Sequence, residues 1–421
     1  MPSLPRCGVM SSGERLGERS GLARVLRRPL TSYHLVLGSA TLLLVLGVVM
    51  VFSASSVMSQ QVHGSPYYIV LRQLMWIGIG IPLTWAVSRM KVSTIRRLAL
   101  FGLLASVFLL VLTFVPGIGV AVGGNQNWVS FGGPIRLQPS EFAKLALVLW
   151  AAHVFALKGR LLGQWRHLLV PVVPVSIGIV ALVIGQRDLG TAAVIMGIVL
   201  ALLWIVGVPS WLFGLGMTSV AVVGAYFVAT AGHRMERLRS VTDPLADITG
   251  STAQAAHSIF AFANGGLLGT GLGGSVQKWG GLPEAHTDFI FAIIGEELGL
   301  PGSLVVLVLF LALGYGGVRI AMRTKDTFVR VAAGGIVAWL LVQTLINMGS
   351  VVALLPVIGI PLPLVSYGGS ALLPTLFAVG VLLAFAREEP GARDALIARK
   401  RSRRERRAAR RALRDDQEAT V

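Results

Sequence analysis

Charge is what this sequence has least of. Only 13% of its 421 residues are Asp, Glu, Lys or Arg, about half the share of an ordinary soluble domain, which is too little to cover a surface facing water on every side. There is a single cysteine, Cys7, and that excludes a disulfide framework and a thiolate metal site. The seven histidines are scattered, and neither zinc-ligand spacing, a Walker-type phosphate loop nor a nucleophile elbow occurs. Charged pairs do not recur at the middle of several apolar runs, as they would in an ion-coupled transporter. The abundance is apolar: 54% of residues are hydrophobic and 50 are glycine without a collagen period, a composition that suits closely packed membrane helices.

Apolar runs long enough to cross a bilayer, roughly 17–25 residues, fall near 34–55, 68–88, 98–115, 141–157, 168–186, 188–208, 210–230, 301–322, 330–350 and 366–386. The first run follows a long basic segment and is longer than a signal core, so it reads as a span and not a cleaved signal. Lys and Arg then fix the orientation. With both termini inside, the cytoplasmic side receives Arg6, Arg15, Arg19, Arg24, Arg27 and Arg28, then Arg89, Lys91, Arg96 and Arg97, then Lys158, Arg160 and Arg166, then Arg319, Arg323, Lys325 and Arg330, and finally the basic tail. The outer 116–140 loop holds only Arg136, and Arg234, Arg237, Arg239 and Lys278 in the long outer loop are balanced by acids. The expected fold is an all-α polytopic integral membrane protein of about ten transmembrane helices, with a large extracytoplasmic loop between helices 7 and 8. It divides into a basic cytoplasmic segment 1–32, a membrane domain 33–386 containing the outer loop 231–300, and a basic cytoplasmic tail 387–421. The tail reads as an anchor on anionic lipid, each basic residue near the surface contributing about 1 kcal/mol; docking an acidic cytoplasmic protein is the sharper alternative. No aromatic residues interleave with the charge, so nucleic acid is not expected as a partner.

Four outer-facing segments combine Gly, Pro and ionisable groups at the bilayer edge. In the first, Gly123 to Trp128 leads to Gln138-Pro139-Ser140-Glu141 and Lys144. Pro139-Ser140 resembles a helix start, with Ser140 capping free N–H groups and Glu141 facing the positive end of the dipole. That leaves Lys144, one turn deeper on the face of Glu141. A lysine at membrane depth costs roughly 2.5–3.5 kcal/mol on insertion scales, so it must snorkel, pair or line a wet cavity. Arg72, one turn inside the second span, raises the same alternatives. In the second segment, Gln186-Arg187-Asp188 precedes Leu189-Gly190-Thr191, and Asp188 fits as a helix N-cap. The third runs from the glycines of 265–273 through Lys278 to Leu282-Pro283-Glu284-Ala285-His286-Thr287-Asp288-Phe289. Asp288 precedes an apolar helical stretch, so capping is again the plain account, yet a cap needs neither Glu284, His286 and Lys278 nearby nor a lipid-boundary position. Partial burial raises a carboxylate toward general-base range, while a cation neighbour lowers it. The fourth runs from Asn347 past Pro361 and Pro363 to Ser366-Tyr367-Gly368-Gly369-Ser370, where a helix N-terminus offers donors to an anion.

These motifs resemble, in order, those of the SEDS family (shape, elongation, division and sporulation) of bacterial cell-wall polymerases, from the first span to Phe385. The Pro-Glu-Ala-His-Thr-Asp-Phe wording and the Arg-rich tail resemble the division type more than the elongation type. The resemblance implies a peptidoglycan glycosyltransferase that polymerises lipid II, an undecaprenyl-diphosphate-linked disaccharide peptide, outside the cytoplasmic membrane, and it places the chain at the division septum. Asp288 matches the family's essential acid and is expected as general base. Lys144, Glu141, Arg72, Lys278, Gln138, Ser366 and Ser370 are expected to bind substrate or diphosphate, with His286, Glu284 and Asp188 in support. A divalent cation, Mg or Mn, is an open option, and no other cofactor is expected. The implied partners are a class B penicillin-binding transpeptidase and other divisome proteins. Where many members carry Arg before the loop Trp, this chain has Asn127, so a phosphate contact there does not carry over. A flippase for the same lipid would also need a polar route from inside, for which the cytoplasmic loops offer no motif; a non-catalytic scaffold would explain the tail but not the outer charged cluster.

Overall fold

The structure, a computed structural model, describes residues 30–130, 132, 136–159, 164–229, 241–245, 248 and 253–392. Nearly all of the basic segment 1–32, the tail from 393, Arg160, and the loop cations Arg234, Arg237 and Arg239 lie outside the described residues.

Three helices open the fold: α1 (Thr31–His63), α2 (Tyr68–Ser88) and α3 (Val92–Leu112). α1 runs two turns beyond the apolar stretch that identified it and stops at Gly64, whose left-handed φ of 70° returns its N–H to the Gln60 carbonyl, the usual glycine stop. A small antiparallel sheet follows, in the order β1 (Gly119–Val122), β2 (Asn125–Ser130), β3 (Arg136–Leu137). Gly123 and Gly124, at φ 58° and 83°, make its tight turn, because two consecutive positive φ values suit a hairpin of that twist.

The chain then enters α4 (Pro139–Lys158). Here one expectation is corrected. Gln138 precedes the helix without a side-chain cap and Pro139 opens it, a position where the missing N–H costs nothing. Ser140 therefore lies inside the first turn, and its buried hydroxyl has no partner among the described residues. A short α5 (Trp165–Leu169) and α6 (Val172–Gly185) form one span, and α7 (Leu189–Val206) reverses from it after Arg187, at φ 65°. Asp188 does cap α7, accepting from the Thr191 N–H at 2.9 Å. α8 (Ser210–Ala229) and α9 (Ala253–Gly265) precede a 3₁₀ turn at Gln277–Trp279, then α10 (Ile290–Arg323), α11 (Thr327–Val351) and α12 (Gly369–Arg387).

Among the described residues nine helical segments are long and apolar enough to cross a bilayer. The 20-residue α8, apolar over Ser210–Val222, brings the number to ten. The chain is a polytopic membrane protein. α10 is broken at Gly299 (φ 65°, ψ −157°), so Ile290 to Leu298 form a half-helix stacked on the span proper.

Burial sorts the helices. α4 and α12 are enclosed over most of their length, whereas α2, α3 and α6 present broad apolar faces outward, as lipid-facing helices do where the solvent is itself apolar. The second half of the irregular segment between α11 and α12 is also enclosed, with Ile360, Leu362, Leu364 and Val365 buried. Non-helical backbone at that depth is tolerated only inside protein, and Gln343, Asn347 and Ser366 supply its hydrogen bonds. At the basic end, Arg387 donates to the Ser88 carbonyl at 2.9 Å and Arg323 pairs with Glu389 at 3.5 Å.

Gly47 lets α1 touch this irregular segment: a Cβ there would stand 2.7 Å from the Val365 carbonyl oxygen and 2.8 Å from that of Leu364. Gly47→Val is expected to destabilise by about 1–3 kcal/mol through overpacking, seen as a lower unfolding temperature in detergent. Gly38→Ala, where a Cβ meets open space, should leave that temperature unchanged.

Candidate active site

Asp288 stands on a tight turn. Glu284 adopts φ 56°, and the N–H groups of Thr287 and Phe289 both return to its carbonyl, at 3.1 and 3.2 Å. α10 then starts at Ile290 with no side-chain cap, so the Asp288 carboxylate is not spent on the helix. The carboxylate accepts no hydrogen bond from any described residue, and the residue is half-buried. Its backbone is held instead: Asn347 on α11 donates to the Asp288 carbonyl at 2.7 Å. Gly359, at φ 67°, faces the carboxylate, and a Cβ there would stand 3.3 Å from Oδ2. Burial above all, then the negative charges of Glu284 and Asp188, push the Asp288 carboxyl up to about 7. Burial also holds the His286 imidazole below its ordinary value, against the opposing pull of Glu284.

Asp188, by contrast, is fully engaged. Its Oδ2 accepts from Asn127 at 2.7 Å, from the Thr191 hydroxyl at 2.9 Å and from Gln138 at 3.2 Å. The hairpin, the start of α4 and the start of α7 thus meet on one carboxylate. Asn127 supplies this contact as a neutral donor.

The fourth motif closes the ring. The Ser366 hydroxyl donates to the Thr287 carbonyl at 2.6 Å, and the Tyr367 N–H donates to the His286 carbonyl at 3.0 Å. Ser370 reaches across to the Arg136 carbonyl at 3.0 Å. Arg72, half-buried on α2, lies 5.9 Å from the Tyr68 ring centroid. Burial raises the Tyr367 phenol, against the pull of the Arg72 charge.

Two expected cations are committed elsewhere. Lys144 is 0% exposed; its Nζ donates to Glu141 Oε1 at 2.8 Å and Gln343 Oε1 at 2.7 Å, and lies 5.3 Å from the Trp339 ring centroid. Lys278 donates to Glu297 Oε1 at 3.1 Å and the Gly273 carbonyl at 2.6 Å, and Ser53 on α1 binds the same carboxylate. Its place is between α1, the glycine-rich loop and the half-helix, and the charges shaping Asp288 are those of Glu284 and Asp188.

Gln343 and Trp339 lie outside the four outer-facing motifs. Together with Asn347 they fall at four-residue intervals on one face of α11, in an otherwise apolar span, and that spacing was the available signal. Gln343 also donates to the Pro361 carbonyl at 2.9 Å, while Asn347 donates to that of Ile360 at 2.7 Å. A continuous polar path therefore runs from Glu141 and Lys144 through α11 to the backbone of Asp288.

Fold and site define a polytopic membrane protein, with ten apolar helical segments among the described residues, in which the Asp288 carboxylate accepts no hydrogen bond from any described residue. The chain belongs to the cell cycle protein family that groups FtsW, RodA and SpoVE, whose model matches residues 33–390. It is 42% identical over 373 residues to a probable peptidoglycan glycosyltransferase FtsW of Mycobacterium tuberculosis, covering 89% of this chain and 71% of that one. It is 37% identical to stage V sporulation protein E of Bacillus subtilis, covering 85% and 98%. A solved chain described under the structural coordination of polymerization and crosslinking by a peptidoglycan synthase complex matches with a TM-score of 0.69 at 27% identity, covering 84% and 97%.

Because Lys144 and Glu141 are buried together, removing one leaves the other uncompensated. Lys144→Met or Glu141→Gln alone is expected to destabilise by about 3–5 kcal/mol. The double variant should regain most of that loss; thermal unfolding of the three purified proteins measures it, and an additive double would contradict the pairing.

Proposed function

We infer that this chain is a peptidoglycan glycosyltransferase acting in cell division, with Asp288 as its general base. The observation that carries the reading is a carboxyl held up to about 7, with no hydrogen-bond donor of its own, on the turn that matches the family's essential acid. Its relatives are named as such glycosyltransferases, and they resemble this chain over most of its length.

In the proposed reaction, Asp288 takes the proton of an acceptor sugar hydroxyl as that oxygen attacks the anomeric carbon of a lipid-linked donor. The new glycosidic C–O bond forms while the bond from the anomeric carbon to the diphosphate oxygen breaks. The diphosphate leaves as an anion with its isoprenoid tail in the bilayer, and developing negative charge is stabilised by fixed donors and cations. Arg72 is the proposed cation, next in sequence to Gln73, whose Oε1 accepts from the Gly368 N–H at 3.4 Å. The Lys144–Glu141 pair serves the substrate through the backbone it organises. Lipid II is the proposed donor and acceptor, a class B penicillin-binding transpeptidase the proposed partner, and the septum the proposed location.

The Glu284 charge pushes the Asp288 carboxyl up, a repulsion that an Mg²⁺ or Mn²⁺ ion would relieve. Among the described residues no three His, Cys, Asp or Glu side chains gather for a metal, so these two carboxylates would hold it together with diphosphate oxygens. Such an ion would supply positive charge to the leaving group.

Purified Asp288→Asn protein, supplied with lipid II on its accessible face, is expected to lose about 10²–10⁴-fold in chain growth while inserting normally. Wild-type rates from that folded variant would remove Asp288 from the role. Movement of lipid II by the wild type without chain growth would favour a flippase.

The base works only when ionised. Since its pKa is raised, the rate should rise with pH through about 7. Glu284→Gln removes a charge that raises it, so the rising limb should move to lower pH. A limb unmoved in Glu284→Gln would exclude this electrostatic control.

A further inference from the structure

Between α9 and the end of the 3₁₀ turn the chain exposes five large apolar side chains: Leu267, Leu268, Leu272, Val276 and Trp279. Leu268 is 88% exposed and Trp279 69%. From Gly265 to Pro283 there is no acidic residue, and the one cation, Lys278, is turned inward onto Glu297. Water-facing loops are polar, and a contiguous apolar patch of this kind marks a surface that something covers.

The depth of the patch identifies what covers it. The loop is stitched to the upper ends of two spans. On α10, the N–H groups of Thr270 and Gly271 donate to the Glu296 and Glu297 carbonyls at 2.9 and 3.0 Å. A Cβ on Gly299 would stand 2.5 Å from the Gly269 nitrogen and 2.8 Å from the Leu267 carbonyl oxygen. On α1, Ser53 shares the Glu297 carboxylate with Lys278. Counted from the basic, cytoplasmic ends, Ser53 lies about 33 Å above Thr31, and Gly299 about 36 Å above Arg323, at 1.5 Å per helical residue. A bilayer's hydrocarbon is about 30 Å thick. Both helices therefore carry the loop to its outer edge. The exposed strip Leu300, Leu304 and Val308 on α10 begins immediately below, and the loop's leucines continue that lipid-facing surface upward.

We propose that residues 266–279 form an interfacial wedge, inserting Leu267, Leu268, Leu272, Val276 and Trp279 into the outer leaflet of the membrane. Trp at the headgroup level and leucines just below it are the arrangement of interfacial anchors. Gly266, Gly269, Gly271 and Gly273, all at positive φ, let the backbone turn often enough to present these side chains together. The Lys278–Glu297 pair keeps the cation of the segment out of the lipid. This wedge does not depend on Asp288 acting as a base.

The test uses the full chain with Cys7→Ser and a single nitroxide attached at Leu268→Cys, Leu272→Cys or Val276→Cys. All three positions are exposed, so the labels do not disturb packing. In nanodiscs of phosphatidylethanolamine and phosphatidylglycerol holding no other protein, collisions with oxygen should exceed those with a water-soluble nickel complex at each site. The ratio should reverse at Glu284→Cys, on the polar turn. Nickel dominating at 268, 272 and 276 would overturn the proposal. So would exclusion of nickel that appears only after a second membrane protein is added, since the patch would then belong to a protein partner.

Discussion

Lys144 lies a turn inside α4 with no surface open to solvent, and the rest of the outer half of the bundle is arranged around making its charge tolerable there. An ammonium buried at that depth must be matched within hydrogen-bond distance, because neither lipid nor packed protein solvates it. Glu141 supplies the counter-charge, Gln343 a second acceptor and Trp339 a ring face. Trp339 also donates from its indole nitrogen to Gln343 at 2.8 Å, so the amide oxygen takes two donors and its NH₂ group is left pointing at Pro361. The cost of one buried charge thus fixes the rotamer of a side chain that pins the irregular segment above it.

That segment is what gives Asp288 its setting. Residues 352–368 connect α11 to α12 without helix or strand, and several side chains that hold them also hold the turn at 288. Asn347 ties Ile360 to the backbone of Asp288, Ser366 ties Leu362 to Thr287, and Gln73 on α2 donates to the Ser366 carbonyl at 3.4 Å. Gly359 then approaches the carboxylate without a side chain in the way. The turn is rigid through its backbone, and the carboxyl it presents is left without a donor. Burial and two neighbouring carboxylates make it hold its proton more tightly than an ordinary carboxyl, up to about 7, the range that suits the general base proposed here.

Asp188 and Asp288 illustrate how environment separates like groups. Asp188 is surrounded by donors from three segments and serves architecture, while the Asp288 carboxylate has none among the described residues, which suits the general-base role proposed for it. The remaining pair, Glu296 and Glu297, is also architectural. Glu296 accepts from Asn264, Val276 and Ser275, and Glu297 from Ser53 and Lys278, so together they fasten the glycine-rich loop to the half-helix that begins after Asp288.

Much of this was legible in the sequence. Hydropathy alone gave the ten spans, because a backbone in lipid has to bond within its own segment and so leaves an uninterrupted apolar run. Asp188 showed its capping role, and parts of the four motifs meet around Asp188 and the turn at 288. Local chemistry misassigned Ser140, since a proline at the first helical position opened α4 without it. The pairings were beyond reach of sequence. Whether Lys144 and Lys278 meet a substrate or a carboxylate depends on which helix face lies opposite, and that is set by packing among helices far apart in the chain. Gln343 and Asn347 look like isolated polar residues in a span until α11 is placed between α4 and the turn at 288. Periodicity and charge determine what crosses the membrane and which way it faces; only the tertiary structure decides which polar atoms share a dry interior, because each must find its partner there or not be buried at all.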